Sequence, residues 1–246
     1  MQKNLLSIIT VVKNDEKNIQ KTIKSIIHQK NLKYEYIIID GKSKDNTLKK
    51  ILKYKSKIHK IISEKDNGIY EAMNKGLKIA KGDIIVFCNS GDFFYKNSLS
   101  KVINLFYKYN YDFVFGTVMR NYTKAKILKH GFNFKRILYN FDFATAHSTG
   151  FFLKKKIYRK IGFYDTKFKC SSDYDLYFRL YKGNYKGGYT KKNEIIGNFA
   201  SGGYSSRISF IDQILEESKI RIKNKQNFLM VALIFINSLI KNILRR

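Results

Sequence analysis

Acidic side chains follow several apolar runs of this 246-residue chain, at points where buried strands would end. The stretch from residue 63 to residue 94, SEKDNGIYEAMNKGLKIAKGDIIVFCNSGDFF, contains Asp66 and Asp92 in two polar turns. Such carboxylates can bind a divalent cation, hydrogen-bond a ribose or base, or move a proton. Asp92 is the candidate metal ligand, because Mg²⁺ or Mn²⁺ favours one or two carboxylates together with ligand phosphates, and Gly91 would let a bulky ligand approach the backbone. An Asx-turn that only ends the strand is the structural alternative.

Asp40, in IIIDGKSKDNT, could bind a nucleotide, yet Asp-Gly after a strand is also an ordinary turn. The GKS triplet is not a phosphate-binding P-loop, because that motif needs a Gly five residues earlier and Tyr36 stands there. No G-x-G-x-x-G follows a predicted strand, which removes the main support for a dinucleotide-binding fold.

A second pair of carboxylates, Asp173 and Asp175, lies in SSDYDLYFRLYK, which the pattern predicts as a helix entered through Ser172 or Asp173. Asp173 would lie in the first turn, where the helix dipole stabilises its anion, and Asp175 lies about 200° around the axis. Only one of them can face a cleft. We predict that Asp173 is the working carboxylate and that Asp175 is solvated or salt-bridged. His147, in ATAHSTGFF, could contact a diphosphate, although a lone His is more often structural.

The elements that must position these groups alternate between strand and helix through the first hundred residues. Strands are predicted at Leu5–Val12, Tyr34–Asp40, Ile58–Ile62 and Asp83–Cys88, with helical spacing of apolar residues after the first three. This α/β alternation predicts a mostly parallel central sheet flanked by helices, and ligands of such sheets gather at the carboxyl ends of the strands. The polar positions expected to meet there are Thr10, Asn14, Asp40, Asp66 and Asp92.

From about residue 112 the regular alternation of strand and helix patterns ends. DFVFGTV, HSTGFFL and GYTKKNEIIGNF are predicted as strands of a mixed-sheet extension, whereas residues 120–146 fit no clear element. A C-terminal helical segment is expected from about Ile208. We therefore predict a catalytic domain over residues 1–206 and a helical segment over residues 207–246.

The composition has a large excess of basic residues: 48 Lys and Arg against 19 Asp and Glu give a net charge of +29. Of the 48, 40 are Lys, and Pro and Trp are absent, so the codon usage of an AT-rich genome is one explanation. The other is a bias toward polyanions, phosphates or acidic lipid headgroups. Cys88 and Cys170 lie far apart and no signal sequence precedes the first strand, which predicts a cytoplasmic protein.

The tail holds nine consecutive apolar residues, FLMVALIFI, which is short of the ~20 that span a bilayer. Asn237, Ser238, Lys241 and Asn242 cluster on one side of the predicted helix, and Arg245 and Arg246 follow it. An in-plane helix on an anionic membrane surface fits this pattern. A helix packed on the domain or in a dimer fits it nearly as well.

Taken together, these motifs resemble the family 2 glycosyltransferases of GT-A fold, in particular bacterial enzymes of surface-polysaccharide assembly. The resemblance runs over about residues 5–182, through LLSIITVVKNDEKNIQKTIKSIIHQ, YIIIDGKSKDNT, the stretch quoted above and HSTGFFLKKKIYRKIGFYDTKFKCSSDYDLYFRL. It implies a metal-dependent inverting transferase that moves a sugar, with UDP the expected carrier, to a glycan or polyprenyl-linked acceptor at the inner face of the cytoplasmic membrane.

Carried over by position, the resemblance implies that Asp92 binds Mn²⁺ or Mg²⁺ under the diphosphate and that Asp173 is the catalytic base. Asp40 would bind the base of the nucleotide, and Thr10, Asn14, Asp66 and His147 would contribute to the same donor site. Two positions depart from the family pattern. Gly91 stands where many members have a further Asp, so Asn89 or Ser90 would have to contact the ribose. Ser172 replaces a Glu beside the base, which removes a negative neighbour.

Two alternatives belong to other classes: a basic nucleic-acid-binding module and an inactive glycosyltransferase-like scaffold. The first leaves the row of carboxylates without a purpose, because acidic groups repel a phosphate backbone unless a metal intervenes, and no helix-turn-helix or RNP-like signature is present. We therefore expect no nucleic-acid partner.

Overall fold

The computed structural model describes residues 5–121, 126–139, 148–200, 203 and 207–244. Within them, strands and helices alternate as the apolar patterns predict, and then give way to a second sheet and two C-terminal helices. The strands are β1 Leu6–Val12, β2 Tyr34–Asp40, β3 Lys60–Ser63, β4 Ile84–Phe87, β5 Phe93–Phe94, β6 Phe113–Phe115, β7 Thr117–Asn121, β8 Lys126–Lys129, β9 Phe151–Lys154, β10 Gly187–Tyr189 and β11 Ile195–Phe199. The α-helices are α1 Ile19–Ile27, α2 Thr47–Leu52, α3 Ile69–Ile79, α4 Leu99–Tyr109, α5 Lys155–Ile161, α6 Ser172–Lys182, α7 Phe210–Lys223 and α8 Phe228–Ile243.

The larger sheet has seven strands in the order β10-β6-β9-β4-β1-β2-β3. Strands β3, β2, β1 and β4 run parallel, while β9 is antiparallel to both β4 and β6. Since the four parallel strands end at one edge, the loops after them form a common rim. This is the predicted mostly parallel sheet with a mixed extension.

Alternating side chains of the central strands feed two separate cores, one on each face of the sheet. On β1, Ile9 and Val11 join the cluster formed with α3 and α6, whereas Ile8 and Val12 join the cluster formed with α1 and α4. Because the strands are buried on both faces, they appear in the sequence as continuous apolar runs.

The second sheet has four strands in the order β5-β11-β7-β8. The sequence DFVFGTV, predicted as one strand, is divided at Gly116 into β6 of the large sheet and β7 of the small one. The amide of Gly116 donates a hydrogen bond to the carbonyl of Gly150 (2.7 Å). A Cβ atom at position 116 would lie 2.1 Å from Cδ1 of Ile196, so the chain passes between the sheets where there is no room for a side chain.

We expect Gly116→Ala to lower the free energy of unfolding by about 1–3 kcal/mol, the usual cost of overpacking a core. Ile196 is fully buried, so its side chain would have to shift within the core to make room for the added methyl group. Denaturant unfolding would measure the change, with Gly203→Ala as the control because a methyl group there meets no atom within 4 Å. The double variant Gly116→Ala/Ile196→Val should recover part of the loss; equal stability of wild type and Gly116→Ala would contradict this packing argument.

The C-terminal segment forms two helices rather than one continuous helix. The break follows α7, where Lys225 has a positive φ of 58° and the Asn227 side chain accepts a hydrogen bond from the amide of Met230 (3.2 Å) to begin α8. Ile220 of α7 belongs to the core shared with α3 and α6. Helix α7 is thus packed into the body of the molecule, and the division at residue 206 stays a prediction.

Candidate active site

The loops after β1 and β2 are joined by hydrogen bonds around Asp40. Its fully buried carboxylate accepts hydrogen bonds from the hydroxyl of Ser43 and from that of Ser63 at the end of β3 (2.6 Å). The hydroxyl of Ser43 also accepts the amide of Asn14 (2.8 Å), and the exposed Asn14 side chain accepts the amide of Lys44 (2.8 Å). The buried carboxylate of Asp40 therefore holds the loops of the rim together from the protein interior. Asn14 lies on the solvent-exposed side of the rim.

Asp66, after β3, reaches the same part of the rim. Its Oδ2 atom lies 2.2 Å from the point that a Cβ atom on Gly41 would occupy. Its Oδ1 atom lies 3.8 Å from Nζ of Lys13, in the loop after β1. The predicted convergence of the first three loops is present in the structure, and the absence of a side chain at position 41 permits it.

Thr10 does not reach the rim. It lies within β1, fully buried, and its hydroxyl donates to the carbonyl of Cys88 (2.7 Å) and lies 3.1 Å from the hydroxyl of Tyr36. The expectation that this side chain lines the donor pocket is not met in this structure. The reason is that β1 continues to Val12 and is covered on both faces, so a side chain at position 10 is enclosed whichever way it points.

Asp92 follows β4 and is 3% exposed. Oδ2 accepts the hydroxyl of Thr149 (2.6 Å) and Oδ1 accepts the amide of Ala200 (2.9 Å). Burial raises the pKa of Asp92 to about 7, although the two hydrogen bonds oppose this effect. A positive charge placed beside this carboxylate would relieve the cost of its ionisation.

The turn that presents Asp92 is connected to the loop after β1. Ser90 donates its hydroxyl to Oδ2 of Asp15 (2.6 Å), and the hydroxyl of Thr22 donates to the carbonyl of Asp92 (2.7 Å). Gly91 has a φ of +96°, a conformation that side chains with a Cβ rarely adopt, so the turn itself requires glycine. Asp15 was not among the predicted site residues, although its position directly after Asn14 in a rim loop was a usable signal.

Asn89 carries an unsatisfied oxygen in this turn. Its Nδ2 donates to the hydroxyl of Ser148 (3.2 Å), whereas its buried Oδ1 has no hydrogen-bond partner among the described residues. The described residues contain no group of three or more His, Cys, Asp or Glu side chains that could hold a metal ion alone. One carboxylate, on Asp92, and one free amide oxygen, on Asn89, suit a hard cation whose other ligands are water and substrate phosphates.

Asp173 lies in the first turn of α6, as predicted. Within the described residues, both hydrogen bonds to its carboxylate go to Oδ1, from the hydroxyl of Tyr70 (3.3 Å) and the amide of Tyr174 (2.9 Å). Burial raises the pKa of Asp173 to about 6, and the carboxylate of Glu216 contributes to the increase. The pKa of Asp173 therefore lies closer to neutral pH than that of an ordinary Asp, in the range where a carboxylate can act as a general base.

Asp175 points away from Asp173 into the protein. Its buried carboxylate accepts Nε of Arg179 (2.9 Å), Nζ of Lys223 (3.0 Å) and Nδ2 of Asn224 (3.1 Å). Of the two states predicted for Asp175, solvated or salt-bridged, the structure shows the salt-bridged one. It joins α6 to α7.

Aromatic rings connect Asp173 to the end of β4. Tyr70, at the start of α3, stacks on Tyr164 with ring centroids 5.5 Å apart, and Tyr164 contacts the edge of Phe87 (5.9 Å). Phe87 is the last residue of β4, two residues before Asn89. The second carboxylate therefore lies at the carboxyl-terminal edge of the sheet, where Asp92 also lies. Tyr70 and Tyr164 were not predicted as site residues, because nothing in their spacing marks them. His147 lies outside the described residues.

An α/β protein with a seven-stranded sheet, a small second sheet and acidic residues along the carboxyl-terminal edge has the architecture of a GT-A transferase. The model of the family described as "Glycosyl transferase family 2" matches residues 7–172. The chain belongs to this family.

Known proteins of similar sequence include the UDP-Glc:alpha-D-GlcNAc-diphosphoundecaprenol beta-1,3-glucosyltransferase WfgD of Escherichia coli, 34% identical over 117 residues. That match covers 47% of this chain and 46% of WfgD, so the chain spans about half the length of this relative.

Two solved structures show the same fold at low sequence identity. TarS 1–349 of S. aureus in complex with UDP-GlcNAc has a TM-score of 0.72 at 16% identity, covering 95% of this chain and 71% of that one. The mannosyltransferase PcManGT of Pyrobaculum calidifontis in complex with GDP-Man and Mn²⁺ has a TM-score of 0.67 at 15% identity, covering 91% of this chain and 64% of that one.

Proposed function

We propose that the protein is an inverting glycosyltransferase that moves a sugar from a UDP-linked donor to a glycan or polyprenyl-linked saccharide in the synthesis of a bacterial surface polysaccharide. The observation that carries this proposal is the presence of two carboxylates with raised pKa values, Asp92 and Asp173, at one edge of the sheet. The names of the relatives support the substrate classes, since WfgD acts on a lipid-linked sugar and TarS holds UDP-GlcNAc.

Asp173 would perform the proton transfer. As the acceptor oxygen attacks the anomeric carbon, its proton moves to the Asp173 carboxylate, the bond from that carbon to the phosphate oxygen breaks, and the nucleoside diphosphate leaves with the electron pair. Tyr70 and the amide of Tyr174 fix Oδ1, which leaves Oδ2 to face the acceptor. A single displacement from the opposite side inverts the configuration of the sugar.

Asp92 and Oδ1 of Asn89 are the residues that would hold Mn²⁺ or Mg²⁺, and the bound ion would offset negative charge on the diphosphate. Asp92 is kept in place by Thr149 and Ala200, and its turn is kept in place by Thr22. Asn14 and Asp66 lie along the first three loops, where a nucleoside could bind over the rim. Asp40 would support that surface rather than face it.

A panel of nucleoside diphosphate sugars tests the proposed function. The full chain with Mn²⁺ should release nucleoside diphosphate from at least one UDP-sugar, because an active transferase usually leaks some donor to water, and the same compound should raise its melting temperature. Binding without turnover of any donor or acceptor would favour the inactive scaffold. No binding of any donor, together with tight binding to single- or double-stranded nucleic acid, would favour the nucleic-acid-binding module.

We further propose that α8 lies on the anionic inner face of the cytoplasmic membrane. Its outer surface is a stripe of exposed apolar side chains spaced by four and three residues, flanked by the exposed Phe228 and Leu244. The stripe consists of Leu229, Leu233, Ile236, Ile240 and Ile243. The full apolar face spans about 160° of the helix, wider than a coiled-coil seam.

Charge and length favour a membrane surface over a second copy of the chain. Each copy carries +29, which opposes self-association and attracts anionic headgroups. At 16 residues α8 is about 24 Å long, and no helix in the described part of the chain is long and apolar enough to cross a bilayer. The helix would therefore lie in the plane of the interface.

We expect Leu233→Glu to weaken binding to anionic vesicles by about tenfold or more, the worth of one buried Leu side chain. Asn237→Glu is the matched control, because it adds the same charge one turn away, outside the stripe. Co-sedimentation with vesicles would measure both. Equal losses in the two variants would contradict insertion of this face, and a wild-type dimer that Leu233→Glu dissociates would identify a second copy as the occupant.

A further inference from the structure

The turn that precedes Asp173 is held by a side chain from another part of the chain. Glu216, on α7, accepts hydrogen bonds from three consecutive backbone amides, those of Lys169 (2.6 Å), Cys170 (2.9 Å) and Ser171 (3.1 Å). The thiol of Cys170 donates to the same carboxylate (3.2 Å). Within the described residues these contacts involve four donors and one acceptor group, so the path of residues 169–171 depends on Glu216.

Within the described residues, no other side chain makes as many hydrogen bonds to the backbone of this turn. Ser171 is the residue before α6, yet its side chain makes no capping hydrogen bond to the helix. The hydroxyl of Ser172 is buried and has no hydrogen-bond partner in the part of the chain that the structure describes. The direction in which α6 begins, and with it the position of Asp173 two residues after Ser171, is therefore set from α7.

Glu216 also affects the charge around Asp173. The titratable groups that face Asp173 are Tyr70 of α3, Tyr164 after α5, Tyr177 of α6 itself, Cys170 of the turn, and Glu216 and Glu217 of α7. These groups are phenols, a thiol and acids, and no cation from the described residues is among them. Burial and these acidic neighbours raise the pKa of the Cys170 thiol to about 12, which keeps it protonated as a donor to Glu216.

We propose that Glu216 is a positioning residue for catalysis, which fixes the turn that carries Asp173 and supplies the negative charge beside it. The inference rests on the proposed function, because it takes Asp173 to be the base. It makes α7 part of the catalytic unit, although α7 lies outside the stretch that the family model matches.

The test uses the full-length chain labelled with [4-¹³C]aspartate, in which the Asp173 resonance is assigned by its absence from Asp173→Asn. Glu216→Gln keeps the shape and removes the charge, Glu216→Asp keeps the charge and shortens the reach, and Asp212→Asn removes a charge from the first turn of the same helix. The titration midpoint of Asp173 should move to lower pH in Glu216→Gln and stay unchanged in Asp212→Asn. We expect kcat to fall about 10- to 100-fold in Glu216→Gln with donor KM unchanged, because small displacements of a catalytic group carry that cost.

An Asp173 midpoint that is the same in wild type and Glu216→Gln would overturn the proposal, and so would a shifted midpoint with normal kcat. If Glu216→Gln does not fold, Glu216→Asp becomes the deciding variant. The proposal then requires that its Asp173 titration midpoint is close to that of the wild type and that its kcat is reduced. The midpoint is measured without substrate, so it remains informative if the wild-type chain transfers no sugar. A wild-type chain that transfers no sugar would refute the proposed function. The coupling between Glu216 and Asp173 would then be judged from the titration alone.

Discussion

Asp173→Asn should lower the rate of sugar transfer by about 10²- to 10⁴-fold, the usual contribution of a general base. An amide cannot accept the acceptor proton, but it is nearly the same size and can still receive the hydrogen bonds of Tyr70 and the Tyr174 amide. Donor binding should therefore be unchanged. Transfer kinetics together with calorimetric titration of the donor would measure the two effects separately.

Asp175→Asn is the contrasting variant on the same helix. Asp175 is buried and pairs with Arg179 and Lys223, but Lys223 keeps its ion pair with Asp165 (2.9 Å), so loss of the Asp175 charge should cost about 1.5–3 kcal/mol of stability, the usual contribution of a hydrogen bond to a charged group. Its folded fraction should retain near-normal turnover. Near-normal turnover of Asp173→Asn would remove Asp173 from the mechanism.

Asp92→Asn should make the metal-free protein more stable at pH 8 while weakening metal-dependent donor binding. Raising the pKa of Asp92 from about 3.9 in the unfolded chain to about 7 means that the folded state prefers the protonated form. The contribution of Asp92 to the free energy of unfolding is therefore most favourable at low pH. It decreases by up to ~4 kcal/mol as the pH rises from about 4 to about 7. Asn removes this cost and can keep both hydrogen bonds, since the Thr149 hydroxyl can either donate or accept.

Denaturant unfolding at pH 5 and pH 8, with and without Mn²⁺, would test the argument. Mn²⁺ with UDP should stabilise the wild type and have little effect on Asp92→Asn, and the metal-dependent affinity of the wild type should fall below pH 7 as Asp92 takes up a proton. A variant less stable than the wild type at pH 8, with donor affinity unchanged, would contradict both the burial cost and the metal role of Asp92.

The sequence predicted the parts of the fold that local patterns control. Strand β2 was predicted with its observed bounds, Tyr34–Asp40, because buried parallel strands appear as uninterrupted apolar runs. The position of Asp173 in the first turn of a helix was also predicted, from the polar entry followed by helical spacing. Both features depend on residues that are close in sequence.

Three features that depend on distant residues were not predicted. The division of DFVFGTV at Gly116 depends on Ile196, eighty residues later, which fills the space that a side chain would need. Thr10 has the residue type of a rim position, but β1 continues beyond it to Val12 and is buried on both faces, which places Thr10 in the core. The replacement of a Glu by Ser172 predicted the loss of a negative neighbour for the base, yet Glu216 supplies negative charge there from α7.

In the proposed mechanism, Asp92 and Asp173 face one cleft, where one binds the donor's cation and the other binds the acceptor. Paramagnetic broadening by Mn²⁺ in the [4-¹³C]aspartate-labelled chain with saturating UDP tests whether the two carboxylates share a cleft. We predict strong broadening of the Asp173 resonance, which disappears when Mg²⁺ replaces Mn²⁺ and in Asp92→Asn. A sharp Asp173 resonance in the wild-type protein with Mn²⁺ and UDP bound would place the two carboxylates in separate sites and contradict the mechanism.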